Sequence, residues 1–217
     1  MRPRVVLVTD PAFGDDGIAR AVAEAAAALP PGWLCVQLRD KARTRTGLRL
    51  FGARLRNITR SLGARLVING DAVVARDVGA DGVHFGAGAG APSDARRICG
   101  VGVWVSVAAH SDEDIHAAIG SGADAVLVSP VFASRPSSSA APAKTGRGTV
   151  ALEKARAAVD RAERGLLVYA LGGVTAATAR RCIDAGADGV AVIREILGNA
   201  EPYRAARALH DALARRC

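Results

Sequence analysis

Aromatic residues make up only 4% of this 217-residue chain, methionine occurs once, and lysine stands only at 41, 144 and 154. With hydrophobic residues at 50%, the core must come from Val, Ile, Leu and Ala, which suits strand–helix units rather than an all-β sandwich. The four cysteines, Cys35, Cys99, Cys182 and Cys217, lie far apart, without a Cys-x-x-Cys pair or paired histidines. That argues against a zinc site and a disulfide framework, and points to a reducing cytoplasm. No uncharged apolar run nears the ~18 residues of a membrane span, and the run ending at Thr9-Asp10 is too short for a signal-peptide core. A cytoplasmic protein with no membrane partner is expected.

The formal charge of +8 is nearly all arginine. Arginine is dispersed along the chain, aromatics are scarce, and no helix-turn-helix or RNA-module signature occurs, so no nucleic-acid partner is expected. The basic excess reads as arginine spread over helix surfaces, with an anionic substrate as the other use of such charge.

What the chain does have is alternation. Short apolar runs at 4–9, 33–38, 65–69, 81–85, 102–108, 124–128, 166–171 and 188–193 are separated by amphipathic segments near 16–29, 46–62, 71–78, 92–98, 111–121, 150–164, 175–185 and 201–215. Val- and Leu-rich strands without strict alternation indicate a parallel sheet buried on both faces. Eight pairs predict an α/β chain folded as a single (β/α)8 TIM barrel over 1–217, with an open doubly wound sheet as the alternative. Three echoes, Gly79-Ala80-Asp81, Gly122-Ala123-Asp124 and Gly186-Ala187-Asp188, place a left-handed helix end before a strand, at the face that serves stability. A long loop at 129–149 contains a Ser-, Ala- and Pro-rich stretch, 134–148, and is expected as a lid over the catalytic face.

In such a barrel the strand ends and the loops after them form the site. Reading those ends gives Thr9 and Asp10, Gln37 and Arg39, Asn69, His84, His110, Ser129, Gly172-Gly173 and Ile193-Arg194. Gln37, Arg39 and Lys41 alternate, so an extended segment would aim all three one way, with Val36 and Leu38 toward the helices. Arg and Lys at the mouth suit phosphate or carboxylate, unless Asp10 or Asp40 pairs with them. Gly172-Gly173 runs directly into a helix, and Ile193-Arg194 precedes another helical turn; together they match a phosphate site after the seventh and eighth strands. His110 begins His-Ser-Asp-Glu-Asp, where Ser111 caps a helix and the imidazole could move protons at neutral pH. His84 reads equally as a structural or a ligand-contacting imidazole.

Leu7-Val8-Thr9-Asp10, Val36 to Lys41, Val67-Ile68-Asn69, Gly79 to His84, His110-Ser111, Pro130-Val131-Phe132, Leu171 to Thr175 and Gly186 to Val192 together resemble the thiamine phosphate synthase/TenI superfamily of barrels. The resemblance implies a small phosphorylated heterocyclic substrate. In the synthase branch, which joins a pyrimidine diphosphate to a thiazole phosphate, an Asp follows the third-strand Asn to hold magnesium, and an acidic residue lies after the fourth strand. Here Gly70 stands at the first place, and Gly86 to Ala91 offers no side-chain oxygen at the second. The Thr-x-Thr-Lys pattern after Phe132 is replaced by Ser134, Arg135 and Pro136, with Ser134 still a candidate substrate contact, and Ala108 replaces the usual Ser.

Asn69-Gly70, His110-Ser111, Gly146-Arg147-Gly148 and Ala200-Glu201-Pro202 resemble the TenI branch more. The expectation is therefore an isomerase that turns a thiazole carboxylate phosphate into its aromatic tautomer without cofactor or metal. By that resemblance His110 is the acid/base, Gln37 and Arg39 contact the heterocycle or its carboxylate, and Gly173, Ile193 and Arg194 hold the phosphate. The alternatives are the magnesium-using synthase and a non-catalytic barrel that binds thiazole phosphate. A homodimer is the default assembly.

Overall fold

The computed structural model describes residues 2–134, 145–163 and 165–214. Eight parallel strands close on themselves in chain order: β1 (Val5–Val8), β2 (Leu34–Leu38), β3 (Arg65–Asn69), β4 (Gly82–Phe85), β5 (Trp104–Ala109), β6 (Ala125–Val128), β7 (Leu167–Leu171) and β8 (Gly189–Val192), with β8 pairing back onto β1. The (β/α)8 barrel is therefore the fold, and the open sheet is excluded. Around it lie α1 (Asp15–Ala28), α2 (Arg45–Ser61), α3 (Ala72–Asp77), α4 (Pro92–Cys99), α5 (Asp112–Gly120), α6 (Val150–Arg161), α7 (Ala176–Asp184), the short α8 (Arg194–Leu197) and α9 (Pro202–Ala214). None of the described helices is long and apolar enough to cross a membrane.

The strand pleat divides the core in two. Val5, Leu7, Val36, Leu38, Val168 and Val190 face outward into one apolar layer with the helices. Val6, Val8, Cys35, Val67, Leu127, Tyr169 and Ala191 fill the barrel interior. Small and branched side chains can fill so narrow a cylinder, which is why a chain poor in aromatics suffices.

The three Gly-Ala-Asp echoes do sit at the bottom of the barrel, and the structure shows what the aspartates do there. Asp81 accepts the Leu66 N–H at 2.8 Å, Asp124 the Val105 N–H at 2.7 Å and Asp188 the Val168 N–H at 2.8 Å. Each also pairs with an arginine from the helix ring: Arg56, Arg96 and Arg156 respectively. The residue before β4, β6 and β8 thus fastens the start of the preceding strand, satisfying an N–H group at the sheet's end. The preceding glycines have φ of 64°, 77° and 92°, the left-handed conformation that ends each helix.

Candidate active site

At the opposite end the strands stop on polar side chains, several of them buried: Thr9, Asp10, Gln37, His84 and Ser129. Gln37 Nε2 donates to Asn69 Oδ1 at 3.1 Å, joining the ends of β2 and β3. Thr9 Oγ1 accepts the Arg39 N–H at 2.8 Å and donates back to the Arg39 carbonyl at 3.2 Å, so β1 fixes the backbone from which the Arg39 side chain projects. Neither Arg39 nor Lys41 forms an ion pair among the described residues. Asp40 is taken by Arg43, and Asp10 caps a 3-10 turn at Pro11–Phe13 through the Ala12 N–H.

The alternation expected of Gln37, Arg39 and Lys41 holds only in part. β2 ends at Leu38, and the Asp40 carboxylate accepts the N–H groups of Ala42 and Arg43, turning the chain. Gln37 points into the interior, Arg39 is half-buried at the rim, and Lys41 lies exposed on the bend.

His84 is buried beside Ser106, whose Oγ lies 2.9 Å from Nδ1. Burial, with the positive charges of Arg39 and His110, pushes the imidazole down to about 4. It is neutral near pH 7.

His110 is exposed at the end of β5, with Nδ1 3.1 Å from both the carbonyl oxygen and the Oγ of Ser129. A carbonyl can only accept, so a hydrogen bond to it requires Nδ1 to carry a proton. In the neutral ring that leaves Nε2 as the acceptor. Its own N–H and that of Ser111 go to Asp114 Oδ2, at 2.7 and 3.1 Å, within a capping box that starts α5.

Ser129-Pro130 leads from His110 directly to the glycine turn. Val131 and Phe132 donate to the carbonyls of Leu171 and Gly172, each at 2.9 Å. Gly172 and Gly173 have φ of 97° and 63°. A Cβ on Gly172 would stand 2.8 Å from Pro130 Cα, and one on Gly173 2.5 Å from the Ala133 oxygen. Only glycine allows the turn after β7 to lie this close to the segment after β6. Gly173 is exposed there, and α8 begins directly after Ile193, with Arg194 exposed.

His110 and Gly172-Gly173 are thus brought together through Ser129 and Pro130, and Gln37, Asn69 and Arg39 form a second cluster with Thr9. Ser134 is half-buried and is the last described residue before 135–144, so Arg135, Pro136 and Lys144 lie outside the described residues. Sequence reasoning did not single out Ser106, and it named Arg147 only within the Gly146-Arg147-Gly148 likeness, without a role. The first is a polar residue at an inward position of an apolar strand; the second is flanked by Gly146 and Gly148, and that flanking was the available signal.

The family model for thiamine monophosphate synthase matches residues 5–196. The chain belongs to the thiamine monophosphate synthase family. The thiamine-phosphate synthase of Methanoculleus marisnigri is 38% identical over 208 residues, covering 96% of this chain and 94% of the relative. That of Chromobacterium violaceum is 36% identical over 215 residues, covering 96% and 97%. The solved thiamine phosphate pyrophosphorylase from Pyrococcus furiosus has the same fold, with a TM-score of 0.82 at 24% identity over 97% of this chain and 95% of that one.

These relatives overturn the isomerase expectation. Relatives 35–38% identical over nearly the whole chain carry the synthase name, not that of a tautomerase. The TenI expectation rested on departures from the synthase pattern, Gly70 and the oxygen-free 86–91 loop, together with short likenesses at Asn69-Gly70, His110-Ser111, Gly146-Arg147-Gly148 and Ala200-Glu201-Pro202. A missing ligand does not say which bond the remaining groups make or break.

Magnesium, which the resemblance attaches to the synthase, finds no protein-built site among the described residues. Asp71 caps α3 through the Val74 N–H at 3.0 Å and pairs with Arg45 at 2.8 Å. Asp112 is held by Arg147 and Lys154, and Glu195 accepts the Ala176 N–H at 2.8 Å. Among the described residues no group of three His, Cys, Asp or Glu could hold a metal ion. The carboxylates at the mouth do not fit the cation, so no step is routed through it.

Proposed function

We propose that this chain is a transferase that joins a pyrimidine diphosphate to a thiazole phosphate and releases pyrophosphate. The bond from the pyrimidine-bearing carbon to the diphosphate oxygen breaks, its electron pair leaving with pyrophosphate. The thiazole ring nitrogen supplies the pair for the new bond. The observation that carries this reading is the left-handed Gly172-Gly173 turn packed on Pro130–Ala133, which suits a phosphate-bearing substrate, in a chain whose full-length relatives bear the synthase name.

Gly172 and Gly173, with the first N–H groups after Ile193 and the Arg194 guanidinium, hold the thiazole phosphate. Arg39 and Lys41, without carboxylate partners, meet the diphosphate and favour its departure, as cations placed where charge develops do. The Gln37–Asn69 pair leaves Gln37 Oε1 as an acceptor and Asn69 Nδ2 as a donor for the pyrimidine edge. Ser134 lies on the segment facing the glycine turn and contacts a phosphate oxygen, while His110 orients the ring nearest Ser129.

The deciding assay mixes both substrates with purified full-length protein and follows the coupled product and pyrophosphate, with and without magnesium. Equal release of the two supports the reading. No product under either condition, despite tight binding of thiazole phosphate, would leave a non-catalytic binder instead.

A further inference from the structure

Arg147 belongs to neither cluster described above, yet it touches the supports of both the glycine turn and the His110 turn. Its backbone N–H donates to the Pro130 carbonyl at 2.9 Å, and the Gly148 N–H donates to the Val131 carbonyl at 2.9 Å. The Pro130–Phe132 segment is thus bonded on one side to this strap and on the other to Leu171 and Gly172. A Cβ on Gly146 would stand 2.6 Å from the Phe132 carbonyl carbon, so the strap lies directly against the segment. The Arg147 side chain crosses to α5, where Nη2 donates to Asp112 Oδ1 at 2.6 Å. Asp112 follows His110 by two residues, and its other oxygen takes Lys154 at 3.3 Å.

We propose that Arg147 is a positioning residue for anion binding, its ion pair with Asp112 fixing the Pro130–Ala133 segment, and through it the Gly172-Gly173 turn, against the His110 turn. The side chain is only 24% exposed, and its Nη1 is shielded without a partner among the described residues. What it holds is Asp112 on α5, through Nη2, and the Pro130–Phe132 segment, through the strap's backbone N–H groups. Gly172 and Gly173 have no side chains of their own with which to anchor the turn, so their position depends on the segment beneath them. This rests on the reading that the glycine turn takes a phosphorylated group, but it does not need the coupling chemistry.

The test uses the full chain and inorganic phosphate, the group assigned to the glycine turn, as probe, with Arg147→Met, Arg147→Lys and Asp112→Asn. Arg147→Met is expected to weaken inorganic phosphate binding in calorimetry roughly tenfold, well inside the ~10²-fold that a misplacement of about 1 Å can cost. KM for the phosphorylated substrates rises in parallel while kcat changes little, the mark of lost ground-state binding. Arg147→Lys, which can still reach Asp112, recovers most of the loss; Asp112→Asn reproduces it, and the Met/Asn double variant is no worse than either single one. Unchanged phosphate affinity in folded Asp112→Asn or in folded Arg147→Met would overturn the proposal, as would a loss confined to kcat. If phosphate binding depends on Arg147 but the protein joins no substrates, the synthase reading fails while the positioning role stands.

Discussion

His110 Nδ1 lies 3.1 Å from the carbonyl oxygen of Ser129, so the imidazole at the end of β5 is tied to the end of β6 at the point where the chain turns toward the glycines. A ring held this way has its Nδ1 engaged and its Nε2 available as an acceptor. In a reaction that breaks a carbon–oxygen bond and expels pyrophosphate, the substrate carbon need not lose a proton. His110→Ala is therefore expected to lower kcat/KM about tenfold through lost orientation, short of the ~10²–10⁴ that general acid–base catalysis contributes. Steady-state kinetics of the coupling reaction checks this. A loss above that range would show that His110 moves a proton in the chemical step.

Asp188 occupies the far end of the barrel. Its carboxylate accepts the Val168 N–H at 2.8 Å and pairs with Arg156 at 3.2 Å. Asp188→Ala leaves both donors without that partner, which typically costs about 1–3 kcal/mol for a shielded group. The urea midpoint should fall accordingly, with kcat/KM for coupling essentially unchanged because the bottom face serves stability. A variant as stable as the wild type would mean that the bracket adds nothing measurable.

The barrel was legible in the sequence because its strands are buried on both faces and read as apolar runs, each broken by a glycine or an amphipathic helix. Gly172-Gly173 was legible for a related reason: a left-handed turn in close contact with Pro130 and Ala133 tolerates nothing else. Lys41 was harder, since alternation holds only while the chain stays extended, and the two bonds of Asp40 end that at Leu38. The short α8 was foreseen only as a turn, being too brief for periodicity to register. The branch of the family could not be read from absences at Gly70 and Gly86–Ala91, because those report lost ligands and not the reaction. The role of Arg147 was not legible because its partner Asp112 lies 35 residues away, and only the closure of the barrel joins them.

His84 makes stability depend on pH over a defined window. Its imidazole is pushed from 6.5 to about 4 by burial and by the positive charges of Arg39 and His110. Above pH 6.5 neither the folded nor the unfolded chain protonates it appreciably, so it contributes no slope. As pH falls from 6.5 toward 4 the unfolded chain takes up a proton that the folded one refuses, and stability drops, by about 3 kcal/mol at most for this group. His84→Gln removes the titration, so the stability gap between wild type and variant should narrow as pH goes from 7 to 4 in urea unfolding. A gap that stays constant across that range would assign the acid sensitivity to other groups.

The free protein should bind divalent cations poorly. Asp71, nearest to the place where the family pattern has a magnesium carboxylate, is engaged by Val74 and Arg45; against the opposing effect of burial, the Val74 N–H and then the Arg45 guanidinium hold it below the ordinary carboxylate range. Magnesium is commonly bound by one or two carboxylates together with substrate phosphates, and this mouth offers no uncommitted carboxylate pair. Paramagnetic titration with Mn²⁺ and no substrate is thus expected to give dissociation weaker than about 1 mM, unchanged in Asp71→Asn. Tight saturable binding that disappears in Asp71→Asn would mean the Arg45–Asp71 pair opens to admit the cation. The cap on α3 would then be one of two states of that carboxylate, and the mouth would contain a metal ligand after all.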